Sequence, residues 1–563
     1  MRIPYGISDF KTLREQGYLY VDKTKYIEML EDYDSKYMFF IRPRRFGKSL
    51  FLSTLSYYYD MNYSDEFTDI FKDLYISKNP TVLKNSYFML QFNFSALNTN
   101  SKEELEESFK MRLRSSIIEF LHKYKRYFDN ISNIEERINE IEDVGGILNT
   151  LIIEVKRTNK KIYLIVDEYD HFANDIIAMG ESRFYKDVVR ASGFVRDFYE
   201  TVKIGTESVV DRIFITGISP IMLDDLTSGF NIASNTTMDR NLNEMMGFTD
   251  REVDEIISKL QIQDVSKDRE ELRKNYNGYL FNKHSKNRMY NPDMVLYFFN
   301  QYRTFGEYPE ELIDENVKTD YGRLNRLVSN EENRKVLDEI IVNEGIVADI
   351  VTRFSFDRMY DEDYFVSLLF YMGLLTIDRQ ERTRLLLKVP NYVVKTIFWE
   401  YIENSLKENH NIKLETKALR LSIEDMAYDG NIKSYIDYVH KNVIKSLSNR
   451  DLMNFDERYI KVILFAYLVN SKVYKPISER EVENGYIDIY LEKDIRMPDV
   501  NYEWIIELKY IKKGEKSKLE KVKKEGLKQL KRYIDSRGFK DRENIKQALI
   551  VFIGKDEYEV VEI

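Results

Sequence analysis

Short apolar runs separated by polar turns fill the first 220 or so residues. Met38-Phe39-Phe40-Ile41, Phe88-Met89-Leu90-Gln91-Phe92, Ile162-Tyr163-Leu164-Ile165-Val166 and Ile213-Phe214-Ile215-Thr216 show almost no polar alternation. Runs of this kind suit strands buried on both faces of a parallel sheet. Glu103 to Tyr124 and Asn133 to Glu142 lie between the second and third runs, and their apolar residues recur at helical spacing. Strand alternating with helix predicts an α/β domain over residues 1–245. Amphipathic helical pattern then dominates residues 246–455, read as a helical lid and connector. The last part, 456–563, predicts helix (Asp456 to Asn470), three strands (Lys472 to Glu481, Tyr486 to Leu491, Tyr502 to Tyr510), helix (Lys516 to Asp535) and strand (Ala548 to Ile553). The overall fold class is α/β.

Composition changes this picture little. The 563 residues are 43% hydrophobic and 32% charged, ordinary for a folded chain, and only 9 prolines and 22 glycines argue against long flexible linkers. With no cysteine, disulfides and thiolate zinc sites are excluded. The N-terminus has no apolar leader, and runs such as Val462 to Val469 are too short to span a bilayer. A cytoplasmic protein without membrane contact is the expectation. The net charge is −10, yet Lys509 to Lys546 holds 15 Lys/Arg against 6 Asp/Glu. Such a run is either a solvated helix face or a phosphate-binding surface.

The first apolar run leads into Arg42-Pro43-Arg44-Arg45-Phe46-Gly47-Lys48-Ser49 and then a helical pattern from Leu50. Strand, loop, Gly-Lys-Ser and helix is the setting of a phosphate-binding loop. Backbone N–H groups from Gly47 onward would hold phosphate oxygens, Lys48 would reach the β- and γ-phosphates, and the Ser49 hydroxyl would ligate Mg²⁺. Arg42 stands where a general P-loop has its first glycine, and Arg42, Arg44 and Arg45 either contact the anion or form surface ion pairs. The third run ends in Asp167-Glu168. There Asp167 would hold Mg²⁺ and Glu168 would polarise water. Thr216, at the end of the fourth run, or Ser219 would sense the γ-phosphate. His171 reads as a hydrogen-bonded surface histidine ahead of a nucleotide-lining one.

Gly6-x-x-Asp9-Phe10, Tyr20-Val21-Asp22-Lys23-Thr24, the arginine-rich P-loop, Asn275-Tyr276-Asn277-Gly278-Tyr279-x-Phe281 and Tyr290-Asn291-Pro292 together resemble the AAA-ATPase-like family found beside PD-(D/E)XK nuclease domains. In that family Arg-Pro-Arg-Arg-Phe-Gly-Lys-Ser is the usual P-loop. The resemblance covers roughly residues 1 to 300 and implies an ATP-binding P-loop fold with a helical lid. It names no substrate.

In the C-terminal part, Asp488 interrupts the apolar strand Ile487-Asp488-Ile489-Tyr490-Leu491, and Glu507 and Lys509 interrupt Trp504 to Tyr510. Residues two apart on a strand share a face, and charges inside apolar strands are costly unless paired or metal-bound. Asp488 and Glu507 can hold Mg²⁺, with Lys509 positioning the attacking water or stabilising developing charge. A salt-bridged pair on a solvent face is the plain alternative. Glu481 precedes Asp488 by seven residues, with Glu479 and Glu483 competing for its place, and Gln529 lies beside the apolar stripe of the next helix.

This block resembles the PD-(D/E)XK nuclease superfamily, in the branch with Gln-x-x-x-Tyr after Glu-x-Lys. The resemblance implies Glu481, Asp488, Glu507 and Lys509 as active-site residues, with Gln529 and Tyr533 in support. Where that family often carries Gly-Arg-Tyr-Asp, this chain has Gly485-Tyr486-Ile487-Asp488. Together these features lead to an ATP-binding and ATP-hydrolysing protein with a Mg²⁺-dependent nuclease domain, Mn²⁺ being the natural substitute, acting on DNA ahead of RNA. The rival readings are a nucleotide-dependent scaffold that binds nucleic acid without cutting it, and an RNA nuclease. Arg190, Arg196 and Arg240 are all open as an arginine finger, and so is a homo-oligomer.

Overall fold

The computed structural model describes residues 1–563 apart from 179–181, 191–192, 225–228, 263–264, 316, 319–327, 329, 355–357, 359–360, 411, 413–414, 448–455, 484, 535, 537–538, 540–541 and 543. The chain divides into two compact units. One comprises Met1–Glu307, Glu311–Asp338 and Gly345–Tyr392, and the other Tyr308–Glu310, Glu339–Glu344 and Val393–Ile563. The helical stretch is therefore shared between them, with its main division near Tyr392.

In the first unit, β1 (Tyr37–Ile41), β2 (Phe88–Asn93), β3 (Ile162–Asp167), β4 (Val210–Gly217) and β5 (Ser234–Asn235) form one sheet in the order β2-β3-β4-β1-β5. Every pairing in it is parallel. All six residues of β3 are buried, as expected of a central strand covered on both faces. All four apolar runs read from the sequence are strands of this sheet. Because they run the same way, the residues after β1 and at the end of β3 emerge at one edge, where ligands of open α/β sheets sit.

Helix α1 (Lys48–Tyr59) leaves β1 through Gly47, which has φ +88, a conformation that costs a side-chain-bearing residue about 1–2 kcal/mol. Its Phe51, Leu52, Leu55, Tyr58 and Tyr59 pack on Met38 and Phe40 of β1 and on Tyr163 and Ile165 of β3. Full burial of each such side chain contributes about 1.5–3 kcal/mol. Helices α2 (Lys102–Lys123), α3 (Val144–Arg157) and α4 (Phe194–Thr206) pack together, with α2 against β2 and α4 against β4.

Helix α5 (Asp250–Leu260) opens the middle region with a reciprocal capping box of Thr249 and Glu252. Glu252 also accepts from Lys23 Nζ at 2.8 Å, tying the N-terminal segment to α5. Helix α6 (Pro292–Phe305) starts from the Asn291 cap. The middle region is not wholly helical. β6 (Gly345–Ala348), β7 (Thr376–Glu381) and β8 (Arg384–Lys388) form an antiparallel sheet in the order β6-β8-β7. Its strands are short and β7 is largely polar at its far end, which hid it from a search for apolar runs.

The second unit contains α7 (Glu457–Leu468), then β9 (Tyr474–Val482), β10 (Gly485–Lys493), β11 (Glu503–Ile511), α8 (Leu519–Ile534), β12 (Ile545–Ile553) and β13 (Glu557–Glu562). The sheet order is β13-β12-β11-β10-β9. β11 and β12 are parallel across the α8 crossover, and the other neighbours are antiparallel. The expected αβββαβ series is present and β13 extends it.

Gly278 illustrates how tightly the middle region is packed. It has φ +117, and a Cβ there would lie 2.0 Å from the Pro390 carbonyl oxygen. Gly278→Ala is expected to lower stability by at least about 2 kcal/mol through strain and backbone clash. Thermal unfolding of the purified variant checks this.

Candidate functional site

The first centre lies at the edge of the parallel sheet. Ser49 Oγ donates to Asp167 Oδ2 at 2.8 Å, so the two groups expected at Mg²⁺ already meet. Lys48 is 5% exposed, and its Nζ donates to the carbonyls of Arg42 (3.1 Å) and Pro43 (3.0 Å). Burial lowers its pKa, against the Glu168, Asp167 and Asp170 carboxylates. Burial raises the Asp167 carboxyl, with the Ser49 hydrogen bond and Lys48 opposing. Glu168 follows in left-handed conformation, φ +54, which turns it out of the strand direction. Burial pushes its carboxyl up, but the His171 hydrogen bond and the Lys48, His171 and Arg44 charges prevail and hold it at about 2. His171 Nδ1 stands 3.1 Å from Glu168 Oε2.

Arg44, Arg45, Lys48, Ser49, Glu168 and His171 all line one cavity of about 540 Å³, a size suited to a nucleotide-sized ligand. Gly47 lines it too, and Ile7, Val21, Met246, Phe248 and Leu296 supply an apolar wall. His171 is thus both hydrogen-bonded and cavity-lining.

The arginines divide. Arg42 is 1% exposed and turned away from the cavity. Its guanidinium donates to the carbonyls of Ile41, Thr237 and Leu242 and lies 4.1 Å from the ring centroids of both Phe40 and Phe281. Burial lowers its pKa to about 9. It braces the loop from behind. Arg45, with φ +64, reaches the cavity, and its Nη1 lies 3.2 Å from Asp293 Oδ2 on α6.

Thr216 is fully buried and its hydroxyl donates to the Phe40 carbonyl, linking β4 to β1. It is not among the residues lining the cavity. Ser219 Oγ donates to Asp170 Oδ2 at 2.9 Å, and that carboxylate also accepts from the Ser219 N–H at 2.7 Å. Asp170, completely buried, therefore clasps the loop after β4 to the loop after β3. The sequence reading had no reason to single it out beside the more conspicuous Asp167-Glu168.

The second centre forms where β10 and β11 part. They pair at Ile489–Ile506, Tyr490–Ile505 and Leu491–Trp504. Beyond that, the Asp488 side chain takes over and its Oδ2 accepts from the Leu508 N–H at 3.0 Å. Glu507 is fully buried. Lys509 Nζ is 2.7 Å from its Oε1 and 3.5 Å from Asp488 Oδ2. Neither Glu507 oxygen has a partner with hydrogen-bond alignment. Burial and then the Asp488 charge raise the Glu507 pKa. For Lys509, burial is outweighed by Asp488, Glu507 and Glu457, so its ammonium is held above the ordinary lysine range.

Glu457 joins this centre from outside the sequence motif. It sits in the first turn of α7, fixed by the Asp456 cap on the Tyr459 N–H. Its Oε1 is 3.7 Å from Lys509 Nζ. Burial raises its pKa to about 7, with Asp488 adding to the rise and Lys509 opposing it. The only signal for it in the sequence is an acid at the start of the helix preceding the three strands.

Glu481 is exposed and pairs across the sheet with Tyr486. Glu479 falls opposite Asp488, between the pairs Ile487–Arg480 and Ile489–Ser478, and takes Lys461 Nζ at 2.7 Å. Gln529 is half-buried on α8. Tyr533, one turn on, is buried, and burial followed by the Glu507 charge raises its pKa.

The basic run is partly neutralised at home. Lys513, Lys516 and Lys523 pair with Asp556, Glu557 and Glu559 of the C-terminal hairpin, and Lys518 with Glu515. Lys524, Lys528 and Lys531 of α8 make no ion pair among the described residues and are exposed. Only part of the formal charge is therefore available to phosphates.

Among the described residues no set of three or more His, Cys, Asp or Glu closes into a metal cage. The donors nevertheless fit a hard cation: two adjacent carboxylates, one fully buried with oxygens lacking hydrogen-bond partners. No helix among the described residues is long and apolar enough to cross a membrane.

Residues 4–227 match the family described as predicted AAA-ATPase, AAA-ATPase-like, and residues 455–562 match the PD-(D/E)XK nuclease superfamily. A protein of Azotobacter chroococcum mcd 1, named for its place in the vnfD 5′ region and as uncharacterized, is 26% identical over 401 residues, 70% of this chain and 68% of that protein. Among solved structures, the Walker-type ATPase PABY2304 of Pyrococcus abyssi aligns with TM-score 0.39 and 13% identity, over 71% of this chain and 98% of that one.

Arg42→Met is expected to cost roughly 2–4 kcal/mol, since it strands three buried carbonyls. Arg45→Met stays within about 1 kcal/mol of wild type but weakens nucleotide binding. Chemical denaturation and fluorescent-nucleotide titration separate the two. In chelator, Glu507→Gln is expected to gain roughly 1–3 kcal/mol at pH 8, because it removes a buried, poorly partnered carboxylate. The raised Glu507 pKa sets the sign. In wild type this stability is present below the unfolded glutamate pKa and is lost as pH rises through the folded one, so the gap closes toward pH 4.5.

Proposed function

We propose that this chain, an AAA-ATPase-like domain fused to a PD-(D/E)XK nuclease-like domain, is an ATP-regulated, Mg²⁺-dependent nuclease that cleaves the phosphodiester backbone of DNA. The observation that carries the reading is the meeting of Asp488, buried Glu507 and Lys509 at the parted strands. A purely structural ion pair would have no need of a second carboxylate against the first.

Asp488 and Glu507 would hold the cation, with Glu457 beside them. A bound Mg²⁺ supplies positive charge that polarises the phosphodiester and acidifies water. Lys509, kept protonated by its carboxylate neighbours, stabilises charge developing on the phosphate oxygens. Glu457, 3.7 Å from Lys509 Nζ, is placed to exchange a proton with water at the centre. Exposed lysines of α8 neutralise flanking phosphates. We assign the catalytic set Asp488, Glu507 and Lys509, with Glu481 and Gln529 as outer contributors.

At the other centre, Gly47, Lys48 and Ser49 would cradle the ATP phosphates, Asp167 with Ser49 would hold Mg²⁺, and Glu168 would orient water. The apolar wall of Ile7, Val21 and Phe248 suits the base. Nucleotide state is proposed to reach the nuclease centre through conformational change, because both centres share one chain.

The reading is tested by cleavage of linear, circular and single-stranded DNA, and of RNA, with Mg²⁺ or Mn²⁺ and with ATP, ADP or neither. Wild type should cut DNA, Lys509→Ala should lose at least about a hundredfold, and the ATP effect should vanish in Lys48→Ala. No metal-dependent cleavage while ATP is still hydrolysed would replace the nuclease with a nucleotide-dependent scaffold. Rates indifferent to nucleotide would remove the regulation alone.

A further inference from the structure

An exposed aromatic side chain stands immediately beside the second centre. Tyr486 is 55% exposed, although it belongs to β10 and lies two residues before Asp488. Its neighbours in the strand show which way it points. Ile487 is fully buried in the core cluster with Tyr490 and Tyr533. A Cβ on Gly485 would meet Tyr533 Cε1 at 3.4 Å. Gly485 and Ile487 thus face the core under α8, and strand alternation places Tyr486 with Asp488 on the opposite side. At about 3.3 Å per residue the two lie roughly 7 Å apart along the strand.

Ile487 and Tyr490 belong to one core although they are three residues apart, which a regular strand forbids. The alternation is reset between them, opposite Glu479 at φ +49. Asp488, at the reset, is 17% exposed and held by the Leu508 amide, whereas Tyr486 is turned out. Across the sheet Tyr486 faces Glu481, which is itself exposed, so nothing on the partner strand covers the ring. Among the described residues the ring meets no other aromatic ring, and its hydroxyl has no hydrogen-bond partner.

A flat, uncovered π-face one nucleotide's reach from a candidate phosphate site is a platform for a nucleobase. Bases stacked and paired inside a duplex have no free face to offer it. Unpaired bases do, and stacking on an aromatic residue is tolerant of base identity.

We propose that Tyr486 stacks on the base adjoining the scissile phosphate, so that the centre takes single-stranded or locally unpaired nucleic acid. The inference rests on the nuclease reading. Duplex substrates are then engaged only at ends, bulges or unwound segments.

The test uses the full chain carrying Lys509→Ala with Mg²⁺, to bind without cutting. Oligonucleotides of one sequence, single-stranded and duplex, as DNA and as RNA, carry a 2-aminopurine reporter and are titrated by anisotropy. Adding Tyr486→Ala is expected to weaken single-strand binding about tenfold, to abolish the reporter's stacking quench, and to leave duplex binding unchanged. Tyr486→Phe should retain both binding and quench. Such selective loss on DNA, RNA or both supports the inference. Equal loss on single strand and duplex, or no loss on either, overturns it while leaving the nuclease reading intact. Absence of binding to every strand overturns both.

Discussion

A carboxylate buried between strands must be met by positive charge, and Glu507 is met by too little. Lys509 approaches one of its oxygens, but it also serves Asp488 and Glu457. Three acids share one ammonium, and the most deeply placed of them, Glu507, is fully buried while Asp488 and Lys509 stay 17% and 21% exposed. The parting of β10 from β11, the turn of Asp488 onto the Leu508 amide, and the placing of Glu457 by the α7 cap all serve this one cluster. It is a costly arrangement for stability alone and a sensible one for holding a hard cation.

The nucleotide centre solves the opposite problem. Lys48 is a buried cation satisfied by two loop carbonyls, facing the carboxylates at the end of β3. The loop keeps this shape because it is braced from behind. Arg42 pins it to the carbonyls of Thr237 and Leu242, and Phe46 packs edge-on against Tyr279 and Phe281. Asp170 fixes the neighbouring loop after β4. Arginine where a general P-loop has glycine is therefore an internal strut rather than a phosphate ligand.

Much of this was legible in the residues themselves. Uninterrupted apolar runs identified the four main strands of the parallel sheet, and charges interrupting such runs marked Asp488, Glu507 and Lys509. What remained hidden depends on tertiary placement. Glu457 lies on another element, and nothing local distinguishes it from any acid in a first helical turn. The inward turn of Arg42 depends on carbonyls some 200 residues away in sequence. Thr216 reads as a polar residue at a strand end, yet a single hydrogen bond to β1 commits its hydroxyl to the sheet. The reset opposite Asp488 rests on the left-handed conformation of Glu479, a residue whose type does not announce it. The β6–β8 sheet escaped because β7 ends in polar residues and the apolar runs of β6 and β8 are too short for periodicity to separate strand from helix.

The central claim is that Asp488 and Glu507 are charge-deficient for want of a cation. The most direct measurement is Mn²⁺ binding, followed by electron paramagnetic resonance on the nucleotide-free full chain. One site per chain is predicted, competed by Mg²⁺ and lost in Asp488→Asn while the Asp167→Asn variant retains it. Undiminished binding in Asp488→Asn, or no Mn²⁺ bound at all without nucleotide, would contradict the account.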